Sequence, residues 1–100
     1  MKYRLSEEAA KDIREILQHI RFVQKSPQNA QLVASRLKHQ FELLLEIPQL
    51  GHRRSELHDD DALVVEVSGV LVIYDPKLKP LTILRVIHAA RDLHRIKTRK

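Results

Sequence analysis

Cysteine is absent from the 100-residue chain, which removes disulfides, thiolate metal ligands and cysteine nucleophiles together. That usage fits a reducing compartment, and a cytoplasmic location is the expectation it sets. Glycine occurs only at Gly51 and Gly69, so no glycine-rich loop can cradle a nucleotide phosphate, and no His-Glu-x-x-His run offers the helical spacing of a zinc protease. No stretch approaches the roughly 20 apolar residues that a membrane span requires. The opening Met1-Lys2-Tyr3-Arg4-Leu5 turns charged before any apolar run begins, so neither export nor a membrane partner is expected. Neither a metal nor an organic cofactor is expected, and binding to other macromolecules is the activity the composition favours.

What remains is enough for one core. Apolar residues make up 43% of the chain, and a domain of this size buries roughly 60–70% of the surface its unfolded chain exposes. Tyr3-Arg4-Leu5 is a short strand candidate ending at Ser6, a good N-cap, with Glu7 and Glu8 placed where a helix dipole favours negative charge. Ala9, Ile13, Ile16, Leu17, Ile20 and Val23 then recur at helical spacing as one apolar stripe. Ser26-Pro27 starts a second helix, in which Ala30, Val33, Ala34, Leu37, Phe41, Leu44 and Leu45 form the stripe before Pro48 and Gly51 end it. The short link between the two predicts an antiparallel helical hairpin.

From residue 62 the period changes to two. Ala62 to Val67, Val70 to Asp75 and Leu81 to His88 read as a three-stranded antiparallel meander, with Ser68-Gly69 as a tight hairpin and Asp75 to Pro80 as a longer connection. Both faces of the meander carry apolar residues, and with the helices on one side the other is expected to leave apolar surface for a partner. Ala89 to Leu93 can make a short helical turn. The fold class is α+β, organised as a single domain over residues 1–94 and a basic tail over residues 95–100.

Net charge is +5, and the last ten residues set Arg91, Arg95, Lys97, Arg99 and Lys100 against Asp92 alone. Such an end is either solubilising or a contact for an acidic partner or nucleic acid. The cluster His52, His58, Asp59, Asp60 and Asp61 has the residue types of a divalent-ion site, but adjacent aspartates point in different directions and the solvated-loop reading is preferred. Arg85, His88 and Arg91, with Arg53, Arg54, Lys77 and Lys79 as neighbours, carry the groups of a metal-free RNA-cleaving site: cations for phosphate and an imidazole to move a proton. Strand alternation sets Arg85 and His88 on opposite faces unless a bulge intervenes. Arg85 reads equally well as a structural ion-pair partner.

Three segments carry a family resemblance. They are Tyr3-Arg4-Leu5-Ser6-Glu7-Glu8-Ala9-Ala10-Lys11-Asp12-Ile13, Pro48-Gln49-Leu50-Gly51-His52-Arg53-Arg54-Ser55-Glu56-Leu57, and Ile83-Leu84-Arg85-Val86-Ile87-His88-Ala89-Ala90-Arg91-Asp92-Leu93. Together they resemble the ParE branch of the ParE/RelE superfamily of type II toxin–antitoxin toxins, over nearly the whole chain and without insertions. The resemblance implies a RelE/ParE-like fold, a cognate antitoxin that holds the toxin inactive, and DNA gyrase as the target of the released toxin, with a heterotetramer or larger assembly as the stored form. It also implies the alternative of the RelE branch, ribosome-dependent mRNA cleavage. RNase members commonly place a tyrosine after the histidine or arginine that ends the last strand; here Ala89 follows His88, and Tyr74 lies on the preceding strand. No catalytic residue is therefore expected, the set under the RNase alternative being Arg85, His88 and Arg91. The partner-binding candidates are Arg53, Arg54, Lys77, Lys79, Arg91, Arg95, Lys97 and Arg99. A third reading is a remnant that keeps the fold and antitoxin binding without toxicity.

Overall fold

The computed structural model describes residues 2–54, 57 and 59–88. Strand β1 (Tyr3–Leu5) leads into helix α1 (Glu7–Gln18), whose last turn widens into a π-helical segment (His19–Val23); helix α2 (Pro27–Glu46) returns, and β2 (Leu63–Val67), β3 (Val70–Asp75) and β4 (Leu81–His88) follow. The strands form one sheet in the order β1-β4-β3-β2. The meander is antiparallel as its two-residue period requires, while β1 joins parallel to β4, pairing Tyr3 with Leu81 and Leu5 with Ile83. No helix among the described residues is long and apolar enough to cross a membrane.

Local chemistry explains the element starts. Ser6 Oγ accepts the Ala9 amide at 3.0 Å and donates to the Leu84 carbonyl at 2.8 Å, so one hydroxyl caps α1 and ties it to β4. Ser26 Oγ accepts from the Asn29 amide at 3.3 Å, with Pro27 opening α2. Ser68 and Gly69 both have positive φ, 53° and 75°, the backbone of a type I′ hairpin turn whose twist matches that of β2 and β3.

The core lies between the helical hairpin and one sheet face, where Ala9, Ile16, Val33, Leu37, Phe41 and Leu44 meet Leu63, Val65, Val72, Tyr74 and Ile83. Tyr3 adds an aromatic contact, its ring 5.5 Å from that of Phe41 and tilted 60°.

Two sequence expectations are corrected. The opposite sheet face is not left open: Val64, Leu71, Ile73 and Ile87 are buried there in a second cluster with Leu57 and Ala62. The chain between α2 and β2 thus supplies apolar cover that alternation within the strands could not reveal. Val23, assigned to the α1 stripe, is 67% exposed, and Phe22 beside it is 66% exposed. The cause is the π-helical segment, where the Gln24 amide bonds to the His19 carbonyl five residues back at 3.1 Å. A wider turn advances each residue by a smaller angle, so the stripe runs out of phase after Ile20. The helical turn expected over residues 89–93 lies outside the described residues, as does the tail from residue 95.

Candidate functional site

Arg85 and His88, two of the residues expected to make an RNA-cleaving site, are not brought together. β1 pairs with β4 only as far as Ile83, so the next stretch of β4 edge has backbone groups that need other partners. Side chains of α1 supply them. Ser6 takes the Leu84 carbonyl, and Asp12 Oδ2 accepts the Val86 amide at 3.0 Å. Arg85 closes on the same carboxylate, its Nε 2.7 Å from Asp12 Oδ2 and its Nη2 3.1 Å from Oδ1. This two-pronged pair, with the Arg85 and Asp12 side chains only 29% and 13% exposed, is the structural ion pair that the sequence allowed for Arg85.

A register shift does occur between β3 and β4, at Ile73/Tyr74, and it adds Leu84 to the β4 side. It lies before Arg85 and so leaves the relation of Arg85 to His88 unchanged. Arg85 stands opposite Ile73, on the face of the second cluster, whereas His88 stands opposite Val70, on the helical face. Arg91, the third member of the set, lies outside the described residues.

Tyr74 is likewise committed. Its hydroxyl donates to the Pro48 carbonyl at 2.8 Å and accepts the Gly51 amide at 2.8 Å, and its ring is fully buried. Burial pushes the phenol above its ordinary range, against the lowering effect of the Gly51 amide. The group pins the loop after α2, and its proton is already given to the Pro48 carbonyl. Gly51 is required there because a Cβ would sit 2.9 Å from Tyr74 Cε1, Tyr74 Oη and the Val64 carbonyl oxygen.

That pinned loop presents two of the cationic candidates. His52 forms a two-bond antiparallel bridge to Val64 on the outer edge of β2, at 2.9 and 2.8 Å. Arg53 and Arg54 follow and, with Leu50, His52 and Glu66, line a shallow cavity of about 410 Å³. Lys77 lies near enough for Arg53 to act on its charge. Its ammonium bonds to Asp61 at 2.8 Å, and that hydrogen bond, then the Asp61 charge, raises its pKa while Arg53 opposes the shift. Lys79 is exposed on the same connection. Arg53 and Lys77 therefore share one basic neighbourhood, with Asp61 already engaged in it. Arg95, Lys97 and Arg99 lie outside the described residues.

The acidic loop forms no metal cage in what is described: Asp59 Oδ1 accepts the Asp61 amide at 3.0 Å and Asp61 holds Lys77, while His58 is outside the described residues. Among the described residues no three His, Asp or Glu side chains are grouped to hold a metal ion.

A second cavity, of about 420 Å³, opens between the helical hairpin and the β2–β3 turn. Reasoning from sequence missed it, because its lining residues come from separate elements that only the fold brings together. The signal was nonetheless present: from Ile16 to Phe41 the chain has Arg21, Lys25, Arg36 and Lys38 and no Asp or Glu.

The family model for the ParE toxin of type II toxin-antitoxin system, parDE, matches residues 3–93. Nine chains of solved structures match. One, from the chromosomal ParDE TA system of P. aeruginosa, has a TM-score of 0.71 at 20% identity, covering 88% of this chain and 95% of that one. At that identity the likeness speaks for the fold. No curated protein matches the sequence.

Proposed function

The chain belongs to the ParE toxin family of type II toxin–antitoxin systems, and from that premise we propose that its released form inhibits DNA gyrase and is held inactive by a cognate antitoxin. The observation that carries this choice over mRNA cleavage is the separation of Arg85, locked on Asp12, from His88 on the other sheet face. Metal-free RNA cleavage needs a phosphate-stabilising cation and a proton-transfer group within reach of one scissile bond. Tyr74, whose hydroxyl is satisfied from both sides, cannot stand in for the missing aromatic.

The contact surface for the target comprises Arg53, Arg54, Lys77 and Lys79 with the sequence-distal Arg91, Arg95, Lys97 and Arg99. Clustered cations of this kind steer an acidic protein or DNA toward the surface in a salt-dependent way. The toxin works in the cytoplasm, and with its antitoxin it is stored as a heterotetramer or larger assembly, whose mass light scattering would give.

Purified chain is added to a gyrase supercoiling assay and, in parallel, to ribosomes translating a defined mRNA. Gyrase inhibition with intact mRNA is the expected result; codon-positioned cleavage with unaffected gyrase would transfer the function to the RelE-like alternative. Deleting residues 95–100 removes four basic residues, Arg95, Lys97, Arg99 and Lys100, and a single apolar one, Ile96. The truncated chain should fold and bind antitoxin while inhibiting gyrase less and with a weaker salt dependence.

A further inference from the structure

The loop that follows α2 is fastened through its backbone while its arginines stay uncommitted. The Leu50 amide bonds to the Ile47 carbonyl at 3.1 Å and the Gly51 amide to the Tyr74 hydroxyl at 2.8 Å. His52 is bridged to Val64, and the Arg54 carbonyl accepts the amide of the buried Leu57 at 3.1 Å. The side chains of Arg53 and Arg54, by contrast, make no hydrogen bond or ion pair among the described residues. Lys77 close by has Asp61 as its counterion, and Arg53 acts against its charge. Two adjacent guanidiniums on a fixed backbone are preorganised for an anion, because little conformational freedom remains to be lost on binding. Their planar forks match phosphate oxygens in pairs.

The cavity beside them, at about 410 Å³, falls in the roughly 300–1,000 Å³ range of clefts that enclose a ligand. Leu50, 37% exposed, gives it an aliphatic surface together with Val64 and Leu71. Gln40 and Glu66 add an amide and a carboxylate to the same lining. Glu66 narrows the choice of ligand. A bare inorganic anion would be repelled by that carboxylate and would leave the aliphatic surface uncovered. Both groups are satisfied by a ligand that joins a phosphate to a flat ring bearing N–H or O–H donors, which is the composition of a nucleoside phosphate.

We propose that this cavity binds a nucleoside 5′-phosphate unit, with Arg53 and Arg54 on the phosphate, Leu50 against the face of the base and Glu66 accepting from a base amino or ribose hydroxyl group. A free nucleotide and an unpaired position of a nucleic-acid strand present the same chemistry. The inference deepens the target-contact reading of Arg53 and Arg54 by naming what they hold. Its test contains neither gyrase nor antitoxin, so the two readings can fail separately.

The full chain is titrated with AMP, GMP, CMP and UMP, with inorganic phosphate and with short single-stranded oligonucleotides, while the methyl resonances of Leu50 and Val64 are followed by NMR. At least one nucleotide or oligonucleotide should give saturable shifts and bind about tenfold or more tightly than inorganic phosphate. Arg53→Ala combined with Arg54→Ala should weaken that binding by about tenfold or more, as expected for lost charge-assisted bonds. The double variant should keep its melting temperature, because neither side chain has a partner to lose among the described residues. Arg4→Ala, on the opposite edge strand of the sheet, is the charge control and should change affinity less than twofold. Glu66→Gln separates recognition from repulsion: it should strengthen the binding of inorganic phosphate and weaken that of the nucleotide. A strand bound about tenfold more tightly than its mononucleotide, with the same methyl shifts and variant losses, identifies nucleic acid as the source; equal affinities identify the free nucleotide. The inference is overturned by the absence of saturable shifts with every nucleotide and oligonucleotide, by inorganic phosphate binding as tightly as the nucleotide, or by an equal rise for both in Glu66→Gln. Displacement of bound nucleotide by hexaglutamate at equal concentration would reassign the arginines to an acidic protein and overturn it as well.

Discussion

Removing the carboxylate of Asp12 should destabilise the fold more than removing the guanidinium that pairs with it. The two partners are not equivalent: Asp12 accepts two bonds from Arg85 and a third from the Val86 amide, an edge group of β4 that no strand covers. In Asp12→Ala, the Val86 N–H loses its protein acceptor, at about 1–3 kcal/mol for an unsatisfied buried donor, and Arg85 keeps its charge with less than a third of its side chain exposed. Breaking a fully buried pair costs about 3–5 kcal/mol and an exposed one about 0–1. The partial exposure here sets the loss near 2–3 kcal/mol by interpolation between those limits. For a chain of this length each kcal/mol lowers the melting temperature by roughly 4–8 °C, so Asp12→Ala should melt about 10–20 °C lower. In Arg85→Ala, Asp12 still accepts from Val86 and can turn its other oxygen to water, which limits the loss to about 1–2 kcal/mol. Asp12→Asn, which keeps an amide oxygen for Val86, should fall between them. Thermal unfolding by circular dichroism at neutral pH measures all three. Equal losses for Asp12→Ala and Arg85→Ala would refute the strand-edge role, and an unchanged melt in both would reduce the pair to a surface contact.

Other outcomes follow from the same coordinates. Tyr74→Phe should cost about 1–2 kcal/mol, since the Gly51 amide loses its acceptor and the Pro48 carbonyl its donor; no change in the urea midpoint would refute it. Burial raises the folded-state pKa of Tyr74 above its ordinary 10.0, so the stabilisation tied to its proton is whole below pH 10 and is lost as pH climbs through the raised value. Alkaline titration should therefore show a shallower fall in stability for Tyr74→Phe than for wild type. Gly51→Ala, with its Cβ at 2.9 Å from three atoms, should lose about 1–3 kcal/mol, and a neutral result would show that the loop moves freely. Val23→Ser should stay within about 0.5 kcal/mol of wild type, whereas a loss approaching that of a core valine would place Val23 back in the stripe. Ala89→Tyr, which restores the aromatic of the RNase pattern, should give no ribosome-dependent cleavage, because it leaves Arg85 on Asp12 and on the face away from His88; cleavage by this variant would refute the separation argument.

Most of the architecture was legible because each element announces itself locally. Ser6 and Ser26 are caps by chemistry, the stripes through Ile16 and Leu37 have helical period, and Ser68-Gly69 has the length and residue types of a hairpin turn. What escaped depends on angle or on distant chain. The π-helical segment shifts phase by backbone geometry that His19 to Val23 do not advertise, so Val23 was assigned to the wrong side. Leu57 and Ala62 cover the second sheet face from a connection with no period of its own. Asp12 and Val86 are 74 positions apart, and nothing in an acidic residue on an amphipathic helix distinguishes a solvated carboxylate from one that caps a strand. The same limit hid the second cavity, whose lining comes from α1, α2, β3 and β4.

The length of β1 connects these observations. A strand of three residues covers β4 through Ile83 and no further, so the run Leu84-Arg85-Val86 must be satisfied from α1. Ser6, the N-cap of that helix, and Asp12, in its second turn, both reach the β4 backbone. Once Asp12 is held by the Val86 amide, its remaining acceptor capacity draws in Arg85, the nearest cation on the strand. Beyond Val86 the strand passes the helical end, where His88 lines the second cavity and its buried Nδ1 has no hydrogen-bond partner among the described residues. The block Arg85-Val86-Ile87-His88 thus divides its work along one strand. Arg85 and Val86 fasten the sheet to α1, Ile87 closes the second cluster, and His88 lines the cavity at the helical end. A short first strand is therefore enough to turn one cation of a potential cleavage site into a fastening, on the sheet face away from the imidazole.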